Sequence, residues 1–73
     1  MKITYDKEVD AAYIRLAPID AGAVAKTYPC DPVEVNGMIN LDFARNGRLL
    51  GIEIIGASQK LPESVLSMAE PIE

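Results

Sequence analysis

Ile39-Asn40-Leu41-Asp42-Phe43, then Ala44-Arg45-Asn46-Gly47-Arg48, then Leu49-Leu50-Gly51-Ile52-Glu53-Ile54-Ile55 is the most informative segment of the chain. Apolar and polar residues alternate strictly from 39 to 43, the period of a strand with one buried face. Leu50, Ile52 and Ile54 resume that alternation after Asn46-Gly47, a strong short-range hairpin signal. A two-residue turn there pairs Phe43 with Leu50, Leu41 with Ile52 and Ile39 with Ile54, placing all six apolar side chains on one face. A three-residue loop sets Phe43 against Leu49 and Leu41 against Gly51, mixing the faces, so the pattern excludes an odd-length loop. The two-residue turn brings Arg45 opposite Arg48, which costs a few tenths of a kcal/mol. A four-residue loop over 44–47 keeps the same parity and removes that repulsion. Burial at roughly 1.5 to 3 kcal/mol per side chain far outweighs the charge effect, so either even length gives the same inward set.

Upstream of this hairpin, 2–5 and 11–17 show the same alternation and are expected to pair across the loop 6–10. Ile3 and Tyr5 then share the core face with Ala12, Ile14 and Leu16, while Tyr13 and Arg15 lie opposite. Pro18 and Asp20-Ala21-Gly22 mark a turn. A third strand follows through Val24, Lys26 and Tyr28, and the two prolines of Tyr28-Pro29-Cys30-Asp31-Pro32 mark it as an edge or an irregular crossing. Strand patterning resumes at Val33 and Val35. After Gly56 the composition turns polar, and Pro62-Glu63 signals a helix start. Leu61, Val65, Met68 and Ala69 share a stripe that must dock on the sheet or on another subunit, because so short a helix does not persist alone. Pro71-Ile72-Glu73 is expected to fray. The reading is a mainly β (α+β) fold: an antiparallel β-meander of about five strands over 1–56, with a short C-terminal helix over 61–70, in one domain spanning 1–73.

A chain of 73 residues buries a small fraction of its surface, and scaffolds of this size usually need a disulfide, a metal or a partner subunit. Cys30 is the single cysteine and histidine is absent, so an intrachain disulfide and the common zinc ligand sets are unavailable. Self-association is the remaining supplement, and a homo-oligomer, a dimer in the simplest case, is expected. The formal charge of −4 opposes nonspecific nucleic-acid binding, which needs a basic surface. An acidic surface could instead complement a basic partner protein. The N-terminal residues carry no secretory pattern and no apolar run is long enough to span a bilayer, which points to the cytoplasm.

Chemistry-bearing residues are sparse. Asp6-x-Glu8-x-Asp10 has the spacing of a calcium loop, yet Ala11 replaces the turn glycine and Ala17 the bidentate glutamate, so a solvated hairpin loop is the simpler reading. Asp42 and Glu53 fall on neighbouring strands, one pair offset on the polar face, where they could converge as an acid/base couple or simply meet solvent. Cys30 lacks a histidine to activate it and reads as structural or incidental. Gly47 and Gly51 fit turn and strand geometry, and Arg45, Arg48 and Lys60 form no dominating basic patch. No catalytic, cofactor-binding or metal-ligating set is assigned.

The run from Tyr5 to Leu16, together with Asn40-Leu41-Asp42-Phe43 and Asn46 to Ser58, resembles the small bacterial family known as domain of unknown function 2283. The likeness covers Met1 to about Leu61. It implies a compact β-meander with a C-terminal helix, a dimer, and no established activity. Some relatives are encoded beside small toxin-like proteins, so the resemblance also implies an antitoxin-type role toward a small basic toxin. The sequence therefore favours a noncatalytic homo-oligomeric protein-interaction module over a metal binder or metal-dependent enzyme built on Asp6, Asp10, Asp42 or Glu53.

Overall fold

The computed structural model describes residues 1–72. Its six strands are β1 (Lys2–Asp6), β2 (Ala11–Arg15), β3 (Val24–Pro29), β4 (Met38–Ala44), β5 (Leu49–Ile55) and β6 (Glu70–Pro71), with two helical segments, α1 (Ala57–Lys60) and α2 (Glu63–Leu66), before β6. They form one mixed, mostly antiparallel sheet in the order β3-β4-β5-β2-β1-β6. The mainly β, meander-like architecture expected from the sequence is thus present, built from a hairpin, β1-β2, joined to a three-strand meander, β3-β4-β5, through the β2-β5 pairing.

Cross-strand register converts strand alternation into transverse rows of side chains on one face. Ile3 pairs with Ile14, Ile14 with Ile52, Ile52 with Leu41 and Leu41 with Tyr28, an apolar row crossing five strands. The neighbouring row runs Tyr5, Ala12, Ile54, Ile39. The expected pairs Leu41–Ile52 and Ile39–Ile54 are therefore present, as is the shared face of Ile3, Tyr5, Ala12 and Ile14, but β2 ends at Arg15 and Leu16, expected on that face, is exposed.

The hairpin at Asn46-Gly47 differs from the even-length loop the pattern demanded. The Ala44 N–H donates to Arg48 O at 2.8 Å and the Gly47 N–H to Ala44 O at 2.9 Å, closing a three-residue loop in which Gly47 takes φ +87°, the left-handed geometry of this loop type. Phe43 accordingly pairs with Leu49, not Leu50. The faces are not mixed, because a bulge follows at once: the pairing jumps from Phe43–Leu49 to Asp42–Gly51, leaving Leu50 as the extra residue on β5. A bulge consumes one residue on one strand, which cancels the odd loop and restores the core parity. Arg45 and Arg48 no longer face each other as a direct pair, since Arg48 lies opposite Ala44.

Two further expectations are corrected. Residues 32–36 are turns, so β4 begins at Met38 and Val33 and Val35 belong to no strand. The single helix expected over 61–70 shrinks to the four residues of α2 and gives way to β6 at Glu70, while a second four-residue segment, α1, forms before Leu61, where no helix was expected. Leu61 is extended at φ −93°, ψ 143° because it precedes Pro62, and proline disfavours helical geometry in the residue before it. Glu70 precedes Pro71 in the same way, and the chain runs extended as β6, parallel to β1, with Thr4 against Glu70 and Tyr5 against Pro71. Pro71 is therefore paired, not frayed; Glu73 lies outside the described residues. Of the expected docking stripe, Leu61 packs on the core, but Leu66 takes the place of Met68, which is exposed.

The core is small and sits at one corner. Ala12, Ile54 and Ala57 are 2, 3 and 0% exposed, with Tyr5, Ile14, Ile39, Ile52, Leu61 and Leu66 partly buried around them. The helical segments and Leu61 cap the ends of β2 and β5 there. Beyond that corner the same face stays open: Leu41 and Phe43 are only half-buried, and Tyr28 is 53% exposed. The molecule is a slab of 32 × 29 × 19 Å. No helix among the described residues is long and apolar enough to cross a membrane.

Candidate functional site

Two tyrosine–aspartate bonds organise the polar chemistry. At the packed corner, Asp10 ends the β1-β2 loop with φ +53°, a left-handed conformation that aspartate tolerates better than most side chains. Its backbone carbonyl accepts the Gly56 and Ala57 N–H groups at 2.8 and 3.0 Å. Its carboxylate accepts the Tyr5 hydroxyl at 2.6 Å, the Ser58 N–H at 2.9 Å and the Ser58 hydroxyl at 2.7 Å. Asp10 thus ties the first hairpin to the start of α1, 48 residues away. Hydrogen bonds to the charged form, first from Tyr5 and then from Ser58, hold its carboxyl below the usual range, and the same bond holds the Tyr5 phenol above its own.

On the polar face, Tyr13 of β2 reaches across β5 to Asp42 of β4, donating to Oδ2 at 2.7 Å. Thr27 of β3 donates to Oδ1 at 2.6 Å, so one carboxylate links three strands while spanning a fourth. The crossing requires Gly51, because a Cβ there would overlap the Tyr13 ring. Burial, followed by the hydrogen bond and charge of Asp42, pushes the Tyr13 phenol up to about 12. The phenol is therefore a donor, not a base, at neutral pH. Glu53 is taken up separately, accepting from Asn40 Nδ2 at 2.9 Å.

The residues singled out from sequence are thus distributed, not convergent. Asp42 and Glu53 each serve a different donor. Asp6 accepts the Glu8 N–H at 3.0 Å, the local turn expected of it, while Asp10 bonds to a distant segment. Among the described residues, no three histidine, cysteine, aspartate or glutamate side chains gather to hold a metal ion. Cys30 is a half-buried free thiol whose N–H donates to Ile39 O at 2.8 Å; it borders a shallow surface depression of about 520 Å³. Sequence reading missed the Tyr13–Asp42–Thr27 bridge, although strand parity put Tyr13, Asp42 and Glu53 on one face and Gly51 between them was the available signal.

Fold and site together define a class: a small sheet protein with polar bonds spanning one face and an apolar face only partly covered. Residues 2–58 match the model of the family described as Protein of unknown function (DUF2283), and the chain belongs to that family. The match ends at Ser58, the residue that closes the Asp10 cluster. Neither the curated proteins nor the solved structures contain a significant match to this chain.

Proposed function

We propose that this chain is a noncatalytic protein-interaction module that works as a homodimer. The observation that carries the reading is an excess of surface. The accessible area is 5295 Å², whereas a compact monomer of 7.9 kDa has about 4,400 Å². The difference, roughly 900 Å², is close to what one partner contributes to a standard protein interface, about 800 Å². The radius of gyration, 12.3 Å, likewise exceeds the roughly 11 Å expected for this length. A chain with only three buried apolar residues among those described gains most from a second subunit, since burial is the dominant favourable contribution to folding.

Sedimentation velocity across a dilution series from high to low micromolar tests this. The expected result is a dimer that dissociates on dilution, with a melting temperature that rises with protein concentration. A folded monomer at every concentration would exclude the reading.

A further inference from the structure

Resting on the self-association proposed above, we propose that two copies meet apolar face against apolar face over the β3-β4-β5 half of the sheet, giving a two-layer sandwich and not one sheet continued edge to edge.

Both sheet edges are already managed. The second half of the β1 edge is occupied by β6, which pairs with Thr4 and Tyr5, and the Ile72 N–H donates to Tyr5 O at 3.0 Å just beyond it. On β3 the Cys30 N–H points inward to Ile39, so by alternation Thr27 and Pro29 direct their backbone outward. Pro29 has no N–H to offer, and the register shifts between Val24 and Lys26. Proline and a bulge are the usual means of blunting an edge. An incoming strand would find little ladder to extend.

The face, by contrast, is unfinished. The transverse row Ile3, Ile14, Ile52, Leu41, Tyr28 begins beside the capped corner and runs out from under it. Ile14 and Ile52 belong to the packed group, whereas Leu41 and Tyr28 do not. Phe43, two residues along β4 from Leu41 and likewise half-buried, extends this area outside the packed group. Lys26, paired with Phe43, places its ammonium 5.8 Å from the Tyr28 ring centroid, so the positive charge lies beside an aromatic at the margin, a position from which it can reach solvent. A two-fold axis brings the same patch from each copy together, and an apolar patch is complementary to itself without any charge pairing. The second copy is the occupant that the surface excess fits, because the missing coverage matches one side of a standard interface.

Tyr28→Glu tests the face, since this exposed side chain on an edge strand can change without disturbing the core, and Leu41→Glu probes the middle of the row. Circular dichroism checks folding, sedimentation gives the dimer constant, and amide hydrogen exchange of the wild type reads the Thr27 N–H. The expected result is dimerisation weakened at least roughly tenfold by Tyr28→Glu, with the outward Thr27 amide exchanging freely in the dimer. A wild-type dimer that withstands Tyr28→Glu and protects the Thr27 amide would overturn face packing while leaving self-association standing. A wild type that stays monomeric would remove both. If Leu41→Glu fails to fold, Tyr28→Glu and the Thr27 amide still decide.

Discussion

Tyr5–Asp10 and Tyr13–Asp42 use the same two side chains, each with a second hydroxyl on the carboxylate, and hold two differently built halves of one sheet. At Asp10 the second hydroxyl is Ser58, and the bond closes a corner that is also packed by Ala12, Ile54 and Ala57. At Asp42 it is Thr27, and the bond runs from β2 and β5, packed on their apolar side through Ile14 and Ile52, out to β4 and β3, where Leu41 is half-buried and Tyr28 exposed. The causes of the tyrosine shifts differ accordingly: the hydrogen bond leads for Tyr5, burial for Tyr13. The phenol crossing Gly51 is itself covered by the sheet it straps. Where packing is densest the polar bond fixes a loop; where it thins toward β4 and β3, polar bonds across the other face tie the strands together.

This contrast faces its most severe test at the packed corner. Ile54→Ala should lower stability by about 3 kcal/mol in urea denaturation, because a large apolar side chain leaves a cavity in a core with little else to fill it. A loss below about 1 kcal/mol would show that this corner is not the principal core. The open half is probed by Gly51→Ala, whose added methyl must displace the Tyr13 ring at a cost of roughly 1 to 3 kcal/mol. In a Tyr13→Ala background that penalty should largely vanish, and a double-mutant cycle reports the coupling. Equal penalties in both backgrounds would mean that the glycine serves the bulge and not the ring.

The pH dependence is a weaker effect. A phenol raised to about 12 in the fold, against roughly 10 unfolded, stabilises fully below pH 10. That contribution is lost as the pH rises through the folded value, because the unfolded chain ionises first. Tyr5 acts in the same direction, and solvent screening keeps both contributions small. Ultraviolet difference titration of wild type and Asp42→Asn should show one tyrosine titrating earlier in the variant. An unchanged titration would assign the Tyr13 shift to burial alone.

Which residues face which way was legible before any strand was placed. Strict alternation from Ile39 to Phe43 and from Leu50 to Ile54 encodes a two-sided strand locally. The Leu41–Ile52 and Ile39–Ile54 pairs, the first hairpin and the edge position of β3 beside Pro29 all follow from such local signals. How the chain reconciles those demands emerged only on assembly of the sheet. The three-residue loop at Gly47 and the bulge at Leu50 are each out of register and correct only together, and a pattern that sets parity is blind to two slips that cancel. The Asp10–Ser58 and Tyr13–Asp42 bonds join residues 48 and 29 positions apart, and β6 pairs with β1 from the other end of the chain. No local periodicity records such contacts, because they exist only once the strands are already side by side.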